Sequence, residues 1–431
     1  MDFGHSGRGG AQNRLSHFTT VRAEQQLDLS YFPLPATVCQ CTCGGIRPAF
    51  AECERKTMKS KFMMTASMLM AALCVGIHAT EAKAPKAAAE GKKILMGYYP
   101  NWSHYNGFTA DKIPFEYLTH LLYAFYVPDN AGNLVNSDLP DAENFKEVIR
   151  IGHEKGVKIL VSIGGASQSA TFPVIAASAS ARANFVKNCV KLADDFKLDG
   201  IDIDWEYPLE NDGENQLKLH REMRAALDKL PRKVLFTAAV PPTDYWAHWS
   251  QDESFRLLDY VNIMTYDFMG TWEKNVIPNC SMDQTKGALE YFEKKRGVPR
   301  AKLVAGSAFY GKAFDAATGM GSAHEGKGSG NDGIWQWKDL LVQLKSSPYQ
   351  VHWDEKTQSE YAVGNEETIV FNGIPSQRVL GDFVRTSDYP GVMLWDLNGD
   401  VPDTKQSLLV ALYRGLRGTN HGALTVPPAA P

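Results

Sequence analysis

Leu198-Asp199-Gly200-Ile201-Asp202-Ile203-Asp204-Trp205-Glu206-Tyr207-Pro208 reads as a short apolar strand threaded with acids. Side chains along a strand point alternately to opposite faces, so Asp202, Asp204 and Glu206 share one face and Ile201, Ile203 and Trp205 the other. The isoleucine and tryptophan side is suited to burial. If the acidic side is enclosed as well, like charges at this spacing raise one another's pKa, and a carboxyl kept protonated near neutral pH can serve as a general acid. Two plainer readings fit less well. A calcium loop of the EF-hand type also places acids at alternate positions, but it needs Gly after the third acid, where Tyr207 stands. A solvated acidic edge strand would not interleave Ile, Ile and Trp.

Apolar segments of the same kind recur from Lys92 onward. Residues 94–99, 118–127, 157–163, 200–206, 234–240, 260–266, 303–310 and 392–396 read as strands, with helical patterns at 144–155, 181–196, 214–230, 284–295 and 404–416. Near-continuous apolar strands alternating with helices imply a parallel sheet covered on its outer side. Eight such units in about 320 residues favour a closed (β/α)8 TIM barrel, over 92–418, rather than an open sheet. About 80 residues separate the seventh and eighth strands, too many for one crossover. Within them 350–353, 361–363 and 368–371 read as short strands after a helix at 338–345, and 376–386 as a last barrel helix. Residues 312–375 are therefore read as a small α+β insertion between strands 7 and 8, expected to deepen a cleft on the catalytic face rather than to hold the fold together. Gly328-Ser329-Gly330-Asn331-Asp332-Gly333 spells G-x-G-x-x-G, but it follows no strand and opens no βαβ unit, which argues against a dinucleotide site.

With 44% apolar and 22% charged residues, the 431-residue chain can bury a large core. Its net charge is −4 and no basic run follows an aromatic ladder, so nucleic acid is not an expected partner. Cys39-x-Cys41-x-Cys43 lacks the two-residue gap of a zinc knuckle, so no metal is expected there. Cys189 and Cys280 could pair, but the helical pattern around Cys189 suits a thiol packed as a small apolar group. Lys59 and Lys61 after Met58, an apolar run at 62–77 and small residues around Thr80 and Ala82 have the order of a secretion signal. The run is shorter than the roughly 20 residues of a membrane span. The expected order is thus a spurious or disordered extension at 1–57, a signal at 58–82, a linker at 83–91 and a tail at 419–431. The mature product is expected to be secreted and monomeric, with no membrane partner once the signal is removed. The alternative is a disordered cytoplasmic segment ahead of an uncleaved anchor.

In a barrel of this kind, polar and aromatic residues at the carboxyl ends of strands are the candidates for chemistry. Here they are Tyr98 to Trp102 after the first strand, Gly164-Gly165 after the third, the acids on the fourth, Met264 to Asp267 on the sixth, Tyr310 to Lys312 on the seventh and Trp395-Asp396 on the eighth. A lone aromatic there is ordinary core. Aromatics from four strands over one acidic patch suit the flat C–H faces of a polymeric sugar in an open cleft.

Asp199, Asp202, Asp204 and Glu206 also fit D-x-x-D-x-D-x-E, and here the chain resembles glycoside hydrolase family 18. The resemblance runs over 93–416 through Tyr98-Tyr99-x-Asn101-Trp102, Tyr123-Ala124-Phe125, Ser162-x-Gly164-Gly165, Met264-Thr265-Tyr266-Asp267, Met393-Leu394-Trp395 and the insertion, as in chitinases of that family. It implies a mechanism in which the substrate's own 2-acetamido oxygen attacks the anomeric carbon. Glu206 would be the general acid and base, Asp204 would orient the acetamido group, Asp202 would share a proton with Asp204, and Tyr266 would donate to the acetamido oxygen. Asp199 would be structural. Tyr98, Trp102, Phe125, Gly165, Met264, Asp267, Trp272, Tyr310, Lys312, Met393 and Trp395 would line the sugar sites, with Trp395 as the floor. No cofactor or metal is implied, and the partner would be chitin or N-acetylglucosamine oligosaccharides. The chain departs from the family pattern at Ala166, where many chitinases carry Trp, and at Lys312, where relatives often have Arg. Two other functions compete: an endo-β-N-acetylglucosaminidase acting on N-glycans, against which the insertion and aromatic cleft count, and a chitin-binding lectin without catalysis, against which Glu206 counts.

Overall fold

The computed structural model describes residues 93–136, 142–346 and 348–419. The extension, signal and linker expected at 1–91 lie outside the described residues, as does the tail from 420. Most barrel strands are followed by a helix, whereas only short 3-10 turns at Asn101–Asn106, Ala110–Lys112 and Phe115–Tyr117 join the first barrel strand to the second. In chain order the strands and helices are β1 (Ile94–Pro100), β2 (His120–Pro128), β3 (Leu134–Asn136), α1 (Ala142–Glu154), β4 (Lys158–Gly164), α2 (Phe172–Ala177), α3 (Ala179–Asp195), β5 (Gly200–Asp204), α4 (Gly213–Leu227), β6 (Leu235–Val240), α5 (Asp244–Ala247), α6 (Asp252–Arg256), β7 (Tyr260–Ile263), α7 (Met282–Glu290) and β8 (Leu303–Ala308). The insertion follows with β9 (Tyr310–Asp315), β10 (Gly326–Lys327), β11 (Ile334–Gln336), α8 (Trp337–Ser346), β12 (Gln350–Asp354), β13 (Ser359–Gly364) and β14 (Glu367–Phe371). The chain returns to the barrel through α9 (Ile374–Thr386), β15 (Gly391–Trp395) and α10 (Leu408–Arg417). The parallel order β1-β15-β8-β7-β6-β5-β4-β2, with β1 also paired to β2, closes the eight-stranded barrel, and β3 returns antiparallel on β2.

Strand alternation sorts the core into two layers. Ile201, Ile203 and Trp205 enter the outer layer beneath the helices, where Trp205 stacks on Phe172 at 5.3 Å and Phe185 and Cys189 of α3 fill in behind. Met96, Tyr98, Leu122, Leu160, Leu235, Val304 and Met393 form the separate inner layer. Fully burying side chains of this size contributes about 1.5–3 kcal/mol each. Cys189 and Cys280 are both buried, unpaired thiols.

Several elements end where side chains replace the backbone ladder. The sixth barrel strand stops at Ile263 rather than running to Tyr266, because the Thr265 hydroxyl donates to Gly306 O and accepts from Gly306 N, both at 2.8 Å. The seventh stops at Ala308, and Tyr310 already belongs to the insertion sheet. The last helix begins at Leu408 rather than near 404, since Ser407 Oγ accepts from Val410 N at 3.1 Å and Asp400 accepts from Leu408 N and Leu409 N at 2.9 and 3.0 Å.

The insertion is a six-stranded antiparallel sheet, β10-β9-β14-β13-β12 with β11 on β9, covered by α8. It is not the separable wall that the sequence suggests. Trp337, Leu340, Leu341 and Leu344 of α8 and Phe371 of β14 belong to the same apolar cluster as the barrel's outer layer. The Gly328 to Gly333 stretch is the connection between β10 and β11, where Ser329 N donates to Glu367 Oε2 at 2.6 Å.

Candidate active site

Register brings the first polar group together. Asp202 of β5 lies level with Ser162 of β4 and Thr237 of β6, so its carboxyl, fully buried inside the barrel, meets their hydroxyls. It accepts from Ser162 Oγ at 2.8 Å, Tyr98 OH at 2.9 Å, Asn262 Nδ2 at 3.2 Å and Thr237 Oγ1. Burial pushes the Asp202 pKa up and the four hydrogen bonds oppose it. Both Asp202 oxygens are occupied by these donors, and its charge acts on the neighbouring Asp204.

Asp204 ends β5, 4% exposed, and its hydrogen bond is to Glu206. Burial, the Glu206 charge and the Asp202 charge together hold the Asp204 pKa well above the carboxylate range. Glu206 is also raised, by burial first and by the Asp267 charge, while hydrogen bonds from Tyr207 and Asp204 pull it back. Two carboxyls in contact in a poorly solvated site cannot both ionise easily, so the pair retains a proton to higher pH than either would in water. The backbone is fixed with equal care: Glu206 N donates to Ser169 Oγ at 2.9 Å, and Gly165 N donates to Asp204 O at 2.9 Å. Gly165 has φ +98, and a Cβ there would come within 2.8 Å of the Phe125 ring.

Around these acids the structure gathers most of the expected lining. Phe125 stacks on Trp395 at 5.6 Å and 21°, Tyr98 meets the Trp395 edge at 5.7 Å, and the half-exposed Trp102 lies 6.3 and 6.4 Å from Phe125 and Trp395. Met264 and Met393 are buried in the inner layer, with Met393 Sδ 4.0 Å from the Tyr266 hydroxyl. The pKa of Tyr266 is raised well above normal by burial and then by the charges of Asp204, Glu206 and Asp267, so the group stays a neutral donor. On the far flank Asp267, at φ +60, accepts from Tyr310 OH and pairs with Lys312 Nζ at 2.7 Å. Lys312 also donates to Met269 O at 2.9 Å and lies 5.7 Å from the Trp272 ring centre. Trp272 is the outlier, 68% exposed. Asp199 stands at the other end of β5, accepting from Ile159 N and facing His153 Nε2, both at 2.9 Å, so it ties α1 to the sheet.

Sequence reading passed over several groups that the structure places here. Ser162, Thr237 and Asn262 surround Asp202, and each is a polar residue on the inward side of a mostly apolar strand. That pattern was the available signal. Ser169 and Tyr207 hold Glu206 from either side, and Trp246 stacks on Tyr207 at 5.4 Å and 25°.

The arrangement can be set beside known proteins. The model of the family described as glycosyl hydrolases family 18 matches residues 94–400. Endochitinase 1 of Metarhizium robertsii is 27% identical over 355 residues, spanning 72% of this chain and 82% of that protein. Chitinase A1 of Niallia circulans is 26% identical over 442 residues, spanning 82% of this chain and 62% of that one. Among solved structures, catalytic domain 2 of the Ostrinia furnacalis Group II chitinase matches with a TM-score of 0.72 and 27% identity, covering 78% of this chain and 99% of that chain. The Group IV chitinase of the same insect, solved in complex with allosamidin, matches with a TM-score of 0.70 and 26% identity, covering 76% and 99%.

Proposed function

The chain belongs to glycosyl hydrolases family 18, and from that premise we propose that it is a chitinase, hydrolysing β-1,4 links between N-acetylglucosamine units with retention and with help from the substrate itself. The observation that carries this reading is the buried Asp204–Glu206 pair beside Tyr266, bordered by the Tyr98, Phe125 and Trp395 rings. With the reacting sugar on Trp395, its acetamido oxygen attacks the anomeric carbon while Glu206 gives its proton to the departing glycosidic oxygen. Asp204 accepts from the acetamido N–H and stabilises the positive oxazolinium, and Tyr266 donates to the acetamido oxygen. Water then attacks the anomeric carbon, Glu206 takes its proton, and the ring opens back to the acetamide. The charge of Asp202 raises the Asp204 pKa and so helps to keep the proton on the Asp204–Glu206 pair. The signal order from Met58 supports export of the product, which sequencing its amino terminus would check: a mature chain beginning near Lys83 is expected, and one retaining residues 1–57 would contradict it.

The mechanism is tested with N-acetylglucosamine hexamers and with matched oligomers lacking the acetyl group at the cleavage site. Acetylated oligomers are expected to be cut, and the unacetylated position to resist, because it offers no internal nucleophile. Proton NMR of fresh product should show the β-anomer, since two displacements invert twice; initial release of the α-anomer rules the mechanism out. A high-mannose glycopeptide in the same assay separates this reading from an endo-β-N-acetylglucosaminidase.

A further inference from the structure

Loops on either side of β5 differ sharply in what they offer the cleft. After β4 the chain presents Ala166, exposed and without a ring. After β6 it presents α5, whose Trp246 stacks on Tyr207 at 5.4 Å and meets Tyr245 edge-on at 4.8 Å. Tyr207 packs against the inner aromatic layer and hydrogen-bonds Glu206, so the stack runs without a break from the proposed acid to the protein surface. Its outer members are open to solvent, Tyr245 at 65% and Trp246 at 37%. Exposed rings on a mobile loop would mean little, but this loop is pinned. The guanidinium of Arg296, 8% exposed, donates to Ala247 O at 2.7 Å and to Ser250 O and reaches Asp252, while Tyr291 OH donates to Asp244. Rigid aromatic surface held out to water next to a cleft is surface prepared for a ligand.

Direction follows from where the other aromatics lie. Tyr98 and Trp395 belong to β1 and β15, which sit across the barrel from β6 and β5. A sugar lying on Trp395 with its acetamido group at Asp204 and Tyr266 must point its scissile bond past Glu206, toward Tyr207 and Trp246. We infer that Trp246, stacked on Tyr207, is the platform for the sugar on the leaving side of the scissile bond and so sets the preference for long oligomers and for sugar acceptors. This rests on the chitinase reading above, and the test separates the two.

Two substrates discriminate: the N-acetylglucosamine hexamer, which must place sugars on the leaving side, and the oxazoline of chitobiose, which enters without a leaving sugar. In Trp246→Ala, kcat/KM for the hexamer should fall about 3- to 10-fold, with the oxazoline hydrolysed within about twofold of wild type, and Trp246→Phe should recover most of the loss. Transfer of the chitobiosyl group to added N-acetylglucosamine should fall in parallel with hexamer cleavage. Equal losses on both substrates would make Trp246 a support for the fold, and no loss on either would remove it from the site; each overturns the inference. If wild-type protein cuts neither substrate, the chitinase reading itself fails and this inference with it.

Discussion

Glu206 and Asp204 are both acids at the end of β5, yet the chemistry asks different things of them. Glu206→Gln keeps shape and hydrogen bonding but cannot deliver a proton, so turnover should drop by roughly 10²- to 10⁴-fold while oligomer binding survives. Asp204→Asn removes the charge that faces the oxazolinium, a loss of preorganised electrostatic help of about 3 to 4 kcal/mol. Isothermal titration beside steady-state kinetics checks both, and a Glu206→Gln protein that turned over normally would discard the assignment. The surroundings of Glu206 make a finer prediction. Its pKa is raised by burial, raised further by Asp267, and lowered by the Tyr207 hydroxyl. A general acid must hold its proton, so kcat/KM falls as pH rises through the apparent pKa of the coupled pair. Tyr207→Phe should therefore move this basic limb to higher pH, and Asp267→Asn should move it to lower pH. Shifts in the same direction would contradict the electrostatic account.

At the scale of elements, Glu360 of β13 acts as a cap supplied from a distance. Its carboxyl, 1% exposed, accepts from Gly373 N at 3.0 Å and from Ser376 Oγ at the start of α9. Burial nevertheless outweighs these bonds and raises its pKa from 4.5 to about 7. A carboxyl raised on folding contributes stability that is complete below its unfolded value and is lost as pH rises through the folded one. Between about pH 4.5 and 7 the fold should give up roughly 3 kcal/mol on this account, and Glu360→Gln, which cannot ionise, should flatten that part of the stability–pH curve. Denaturant melts at pH 5 and pH 8 measure it, and identical pH slopes in both proteins would refute it. Elements of this kind also show what a sequence discloses. The acids of β5 were legible because their alternation with Ile201, Ile203 and Trp205 is written in consecutive residues, and the barrel because that pattern recurs. The collar of Ser162, Thr237 and Asn262 depends on register between separate strands, which consecutive residues do not record. The end of β7 was missed because Thr265, a good strand former, uses its hydroxyl in place of the ladder. Trp246 sits on α5, a single turn of four residues that is too short to show a period.

For the whole molecule, the question is whether barrel and insertion unfold as one body. The insertion sheet looked like an addition to the cleft wall because it interrupts the strand–helix rhythm and lies in a loop on the catalytic face. Its helix α8 argues otherwise. Trp337, 1% exposed, packs at 6.0 Å from Phe371, and its Nε1 donates to Gln406 O at 2.8 Å, just ahead of α10. Lys338 Nζ reaches Asn398 Oδ1 at 3.0 Å, in the segment that follows Trp395. The insertion thus shares its core with the outer layer of the barrel and holds the chain at two points beyond the last strand's exit. Replacing Gly319 to Phe371 with a short linker would expose that surface and is expected to yield an aggregating protein rather than a bare barrel with a shallower cleft. The single change Trp337→Ala is the cleaner probe. Loss of a fully buried indole should cost about 3–5 kcal/mol, and because the core is shared the cost should appear in one cooperative transition, followed equally by circular dichroism of the barrel and by loss of activity. If the variant instead melted in two steps, with the barrel transition unmoved, the insertion would be an independent unit after all.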